Sequence, residues 1–298
     1  MDKLFDFGLT GSLLGLDFVQ HALLAAAVLG LVAGLLGPLV VTRKMSFAVH
    51  GTAELAFTGA AAALLFGFSI GTGALAGAVV AALLLGLLGL RDSERDSVIG
   101  VLLAFGLGVG VLLLSFYKGR AGNKFGLLVG QIVGVDSASL QLLSWCAVGV
   151  LAVLAVIYRP LLFASVDAEV ATARGVPVRL LSPLFAVLVG VATALGVQTV
   201  GSLLVLSLMV TPAAAACRVT ANPVLATVLA VVFAETAVLG GIVLSLAPGL
   251  PISGFVTVIS FVIYLACRVI GAARARRSRD RRAVSAPGVS PVPARSGR

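Results

Sequence analysis

Charge is what this sequence has least of. Only 11% of its 298 residues are Asp, Glu, Lys or Arg, against about a quarter in soluble globular domains. Hydrophobic residues make up 60%, with a mean hydropathy of +1.15, so a soluble domain is excluded and the chain reads as an integral membrane protein. Cysteine is also scarce. Cys146, Cys217 and Cys267 each lie in or beside an apolar run without metal-type spacing, which implies neither a disulfide framework nor a thiolate metal site. His21 and His50 are the only histidines, and the H-E-x-x-H motif of a metalloprotease is absent. A G-x-x-x-x-G-K-[ST] phosphate cradle is missing as well, so ATP is not bound here by a P-loop. The net charge of +9 is concentrated: eight arginines and one aspartate within residues 272–298 carry +7 of it. No aromatic residues interleave that basic run, and nucleic acid is not expected as a partner.

What is abundant is the long apolar run. A membrane span needs about 20 such residues, and dividing the runs at charges, prolines and polar clusters gives nine candidates: 19–41, 48–68, 70–90, 98–116, 138–158, 180–197, 198–216, 224–246 and 252–271. The sixth and seventh are the weakest division, because only "GVQTVG" (196–201) interrupts 180–216; eight spans with a re-entrant segment is the alternative. The start, "MDKLFDFGLTGSLLGLDF", has two early acids and no basic lead-in, so the first apolar run is expected to stay as a span rather than be cleaved. The expected fold is thus an all-α polytopic bundle of about 8–9 transmembrane helices. It comprises an N-terminal segment (1–18), a transmembrane domain (19–271) and a disordered Arg-rich tail (272–298) able to rest on anionic lipid.

Cytoplasmic loops are enriched in Lys and Arg. Placing the arginine tail inside also puts "TRK" (42–44), "RDSERD" (91–96), the 159–179 loop and Arg218 inside. Lys118, Arg120 and Lys124 fall outside and break the pattern. Glycines recur at four-residue spacing, as in Gly30/Gly34, Gly67/Gly71, Gly73/Gly77 and Gly106/Gly110, which predicts close helix packing in lipid.

Between the fifth and sixth spans lies "SVDAEVATARGVPVRLL". Asp167 suits an N-cap, Glu169 the first turn and Arg174 the last, while Gly175 and Pro177 stop the helix, so 168–174 is predicted as a short helix. On the cytoplasmic side it is either a docking element for a soluble partner or a plain bridge between two spans.

This loop resembles the cytoplasmic coupling segment of the permeases of metal-ion ABC importers, the zinc, manganese and iron type. In those an acid is followed by A-x-x-x-G-V-P, here Asp167, then Ala171 to Gly175, Val176 and Pro177. The resemblance continues through "GLLGPLVVTRKMSF" (34–47), "RDSVIGVLLAFGLGVGVLLLS" (95–115), "GVQTVGSLLVLSLMVTPAAAACRV" (196–219) and "LSLAPGLPISGFVTVISFVIYL" (244–265), in the family's order from about residue 20 to 270. It implies a permease in the plasma or inner membrane, working as two copies. Its expected partners are a cytoplasmic subunit that binds and hydrolyses ATP and an extracellular or periplasmic metal-binding protein. No permanent cofactor is implied, and zinc or manganese would be the transported ion. The rival class is a secondary transporter or channel without an ATPase, for which internal repeats would speak; none is evident.

Within "MSFAVHGTAELAFTG" (45–59), His50 and Glu54 stand four residues apart, so their side chains share one helix face ~5–6 Å apart. Imidazole and carboxylate both suit zinc and manganese-type ions. The pair can hold one cation between them or serve as a structural hydrogen-bonded staple. The family's own segment carries an Asp and a His at these positions, so the donor set is kept with its order reversed. Two ligands fall short of a closed zinc site, which takes about four, as suits an ion that must leave. Glu235, in "VVFAETAVLGG", is a second deep acid, either functional or bonded to Thr236 or a neighbouring span. Gln198 and Thr199, at the break near 200, are candidates for an outer gate or for satisfying freed backbone groups.

Overall fold

The computed structural model describes residues 7–88, 95–119, 126–127 and 137–285. Eleven helices are formed among the described residues: α1 (Phe7–Leu14), α2 (Asp17–Thr42), α3 (Ser46–Phe66), α4 (Ile70–Leu88), α5 (Arg95–Phe116), α6 (Ser137–Val166), α7 (Ala168–Ala173), α8 (Val178–Val200), α9 (Ser202–Val219), α10 (Pro223–Leu246) and α11 (Ile252–Ser285). Seven are long and apolar enough to cross a membrane, and stretches of α4 and α9 form two shorter apolar helices. Helix is the required outcome for such runs, since in hydrocarbon every backbone N–H and C=O must find its partner within the segment. Hydroxyls follow the same rule: Thr52, Thr193 and Thr236 each donate to the carbonyl four residues back at 2.7 Å. Helix α10 starts on a polar cap. Asn222 accepts from the Val224 and Leu225 N–H groups at 3.0 and 3.4 Å, with Pro223 in the first turn of α10.

The weak division between the sixth and seventh spans falls at Gly201. Its φ of +85° and ψ of 158° end α8 and start α9, a backbone shape that only glycine adopts freely. The apolar stretch is therefore two helices with one residue between them.

The bundle is organised around α2 and α3. Helix α3 packs against α4, α5, α8 and α9, while α2 packs against α6, α8, α9 and α10. Helix α11 covers α9 and α10 from outside. Glycine sets the closest approaches. Gly34 lies against the Val231 backbone, Gly59 against Gly73 and Gly77, Gly77 against the Leu55 carbonyl, and Gly110 against the Phe57 ring. A side chain at any of these would meet backbone or a buried ring, which is the small-residue packing that spacing predicted. Gly67 departs from that pattern; it caps α3 at φ +78° with open space beside it.

The basic tail requires a correction. Instead of becoming disordered after 271, the chain stays helical to Ser285. The run "GAARARRSRD" is rich in Ala and Arg, which extend an already nucleated helix at little cost. Arg274 Nη1 donates to the Val219 carbonyl at 3.1 Å and ties this extension to the end of α9. Residues 286–298 lie outside the described set, as do the basic Arg120 and Lys124 of the loop that broke the charge pattern.

Candidate ion pathway and coupling helix

His50 and Glu54 occupy successive turns of α3, each flanked by residues small enough to bring other helices close. Gly51 sits beneath Ile99 of α5, Gly106 of α5 touches the Glu54 backbone, and Gly190 of α8 lies against Thr52, a Cβ there being 3.7 Å from Thr52 Cγ2. Thr58 Oγ1 reaches the Gly106 carbonyl at 2.6 Å as well as its own helix at Glu54 O. This wall leaves Glu54 1% exposed. Glu54 Oε2 and His50 Nδ1 are both buried without a hydrogen-bond partner. A carboxylate in the centre of a span costs several kcal/mol unless something compensates it. The pair therefore offers an acceptor oxygen and a ring nitrogen to a cation. Among the described residues no group of three or more His, Cys, Asp or Glu comes together, so within one copy no third such donor joins these two.

The other polar candidates stand apart. Glu235, half-buried in the middle of α10, lies against Gly30 of α2; a Cβ at Gly30 would be 2.9 Å from Glu235 Oε1. Thr236 donates to the Val232 carbonyl, leaving no bond to Glu235. Gln198 is ~12 Å farther along α8 than Gly190, with its buried Nε2 unpartnered above Gly71 of α4. Thr199 belongs to the last turn of α8, and its side chain is outside the described set. Sequence reasoning missed Ser202, which is fully buried with a partnerless Oγ one residue beyond Gly201. A serine in an apolar run carries no signal of its own, because most satisfy their hydroxyl on the preceding turn.

The short helix between the fifth and sixth spans forms as α7. Asp167 accepts from the Glu169 and Val170 N–H groups at 3.0 and 2.9 Å. At the other end Val176 N–H donates to the Ala171 carbonyl and Gly175 N–H to that of Thr172, both at 3.0 Å. With Gly175 at φ +83° this is a Schellman stop. Arg174 is the C-cap rather than part of the last turn, so the helix ends one residue earlier than predicted. Ala171 is fully buried and docks α7 on the bundle, while Glu169, Val170, Thr172 and Arg174 face outward. Pro177 precedes the first residue of α8, so α7 and α8 are joined by a three-residue elbow after Arg174.

A bundle of membrane-length helices with an orphaned imidazole and carboxylate at its centre, and a capped helix at one end, is the build of a polytopic permease subunit. The chain belongs to the ABC 3 transport family, whose profile matches residues 15–271. Among its relatives is the manganese transport system membrane protein MntC of Halalkalibacterium halodurans, 29% identical over 234 residues that cover 78% of this chain and 80% of that protein. The manganese import system permease protein ScaB of Streptococcus parasanguinis is 30% identical over 200 residues, 67% of this chain and 71% of its own length. The fold is also that of a chain in the structure of PsaBC from Streptococcus pneumoniae in complex with Fab, with a TM-score of 0.78 at 24% identity, over 87% of this chain and 94% of that one.

Proposed function

We propose that this chain is the membrane permease of an ABC importer for a divalent transition-metal ion, with manganese the first candidate and zinc the second. The observation that carries the reading is the pair of partnerless buried atoms, Glu54 Oε2 and His50 Nδ1, on the central helix of an ABC 3 family chain. Manganese favours carboxylate oxygen and accepts imidazole, and zinc takes both. The names of the relatives MntC and ScaB favour manganese.

The ion enters from the outer face, delivered by an extracellular or periplasmic metal-binding protein, and passes the α8–α9 break near Gln198, Thr199 and Ser202. It pauses between His50 and Glu54 before leaving inward. A second copy of the chain supplies a second pair if α3 approaches the symmetry axis. Glu235 is a further polar step on the α2–α10 side. Lacking a phosphate cradle, the chain relies on a separate ATP-binding subunit. That subunit docks on α7 through Glu169, Val170 and Arg174, with Asp167, Ala171, Gly175 and Pro177 holding the helix in shape. The basic ends of α2, α9 and α11 then lie on the cytoplasmic side, as the excess of Lys and Arg there requires.

Tracer uptake tests this in cells with and without the chain, using manganese, zinc and iron in parallel. The expected outcome is loss of manganese uptake on deletion and failure of Glu54→Ala to restore it at normal protein levels. Unchanged uptake of all three metals on deletion would refute the reading.

A further inference from the structure

Arg43 stands at the joint between α2 and α3 and reaches across to α8. It caps α2, with its N–H bonded to the Leu39 carbonyl at 3.0 Å. Lys44 follows at φ +55°, and the Met45 N–H returns to the Val40 carbonyl at 2.9 Å. The chain therefore turns from α2 into α3 within a few tightly bonded residues, and displacement of this corner displaces the start of α3. The Arg43 guanidinium carbon lies 5.3 Å from the centroid of the Phe185 ring, and Nη2 donates to Ser182 Oγ at 3.4 Å. Both partners belong to the first turns of α8, directly after the elbow that joins α8 to α7.

Helix α8 meets α3 again higher up, where Gly190 lies against Thr52, between His50 and Glu54. Gly190 itself brings no side chain to that upper contact. The lower one combines a stacked cation with a hydrogen bond, and Phe185 is itself fully buried. The lower contact ties α8 to the α2–α3 corner through charged, polar and aromatic groups.

We propose that Arg43 is a positioning residue for transport, the grip through which movement of α7 and the foot of α8 reaches the helix bearing His50 and Glu54. This rests on the permease reading above. In that cycle, closure of the ATP-binding subunits shifts α7, α8 moves with it through the Gly175–Pro177 elbow, and Arg43 drags the α2–α3 corner along.

The test is a ratio, metal moved per ATP hydrolysed, measured on the permease assembled with its ATP-binding subunit in proteoliposomes and supplied with its metal-binding protein. A residue that only supports folding lowers both quantities together; a residue that couples them lowers the ratio. Arg43→Gln is expected to reduce the ratio ~3–10-fold with hydrolysis retained. Arg43→Lys is expected to fail likewise, because a compact ammonium lacks the plane that stacks on Phe185. Ser182→Ala, at an exposed position that does not endanger folding, is expected to give a smaller loss. The double variant Arg43→Gln/Ser182→Ala should fall no further than Arg43→Gln alone, since the contact is already broken.

A wild-type ratio in Arg43→Gln, full rescue by Lys, or losses that multiply in the double variant overturns the proposal. If Arg43→Gln does not assemble, wild-type ratios in both Arg43→Lys and Ser182→Ala overturn it. Absence of uptake by the unmodified assembly sinks the permease reading itself, whereas uptake with unaltered ratios in the variants sinks only the role of Arg43.

Discussion

Glu54 is held where a carboxylate is expensive, and that separates its effect on stability from the transport role proposed for it. Replacing a buried charged group by an apolar one of similar volume is often neutral or stabilising. Glu54→Met is therefore expected to melt at the same or a higher temperature in detergent, with a gain of up to about 1–3 kcal/mol. Uptake by the same variant should fall about tenfold or more, the size expected if the ligand contributes ~1.4 kcal/mol to ion binding. Thermal denaturation and tracer uptake on one preparation check both signs, and a variant that loses stability while keeping uptake makes Glu54 a structural staple. The pair itself was legible because i and i+4 share a helix face whatever the tertiary fold. Its lack of partners was not, since that depends on Gly51 and Gly106 letting α5, and Gly190 letting α8, close over that face. Arg43 was equally hidden. Its partner Ser182 is 139 residues away in sequence, and "TRK" reads as an ordinary basic loop end.

Among the elements, α7 was legible almost to the residue, because caps are local chemistry: an acid two and three residues before the amides it caps and a glycine where φ turns positive. Those caps also make it testable. Asp167→Ala removes two hydrogen bonds at a cost of about 1 kcal/mol, and Gly175→Ala forces a Cβ into the left-handed region for ~1–2 kcal/mol. Each is expected to weaken the stimulation of ATP hydrolysis by metal-loaded binding protein, leaving the amount of permease in the membrane unchanged. Stimulation at the wild-type level in both variants would remove α7 as the docking element. Packing between spans was legible as spacing but not as pairing: Gly73 and Gly77 meet α3, while Gly30 meets Glu235 on α10. Gly77→Ala, whose Cβ would press on the Leu55 carbonyl, should cost ~1–3 kcal/mol by overpacking and show as a lower melting temperature. Gly108→Ala, with nothing within 4 Å, should leave it within error of wild type. The end of α11 was missed because arginine reads as solvated tail in a charge count, yet its long unbranched side chain suits a helix.

At the scale of the whole molecule, the informative feature is an incomplete machine. With two partnerless polar atoms buried on α3, an outward-facing capped helix and no phosphate cradle, the chain is, in the function proposed above, a path and a lever that work with a motor on another subunit. Composition made the membrane bundle legible, and the missing cradle made a partner ATPase the simplest completion, which membership of the ABC 3 transport family supports. Ion movement through such a permease is gated by nucleotide-driven closure of the partner, whereas a secondary transporter draws on an ion gradient or the membrane potential, worth ~2.3 kcal/mol per charge at 100 mV. The two can be separated in cells that express the chain with its partners. Inactivating the ATP-binding subunit by a substitution in its phosphate cradle is expected to abolish manganese uptake while the permease remains in the membrane. Brief collapse of the potential with an ionophore, at constant ATP, is expected to leave the initial rate largely intact. The opposite pattern, in which uptake survives loss of the ATPase and collapses with the potential, would show that His50 and Glu54 line a gradient-driven path and that α7 only bridges two spans.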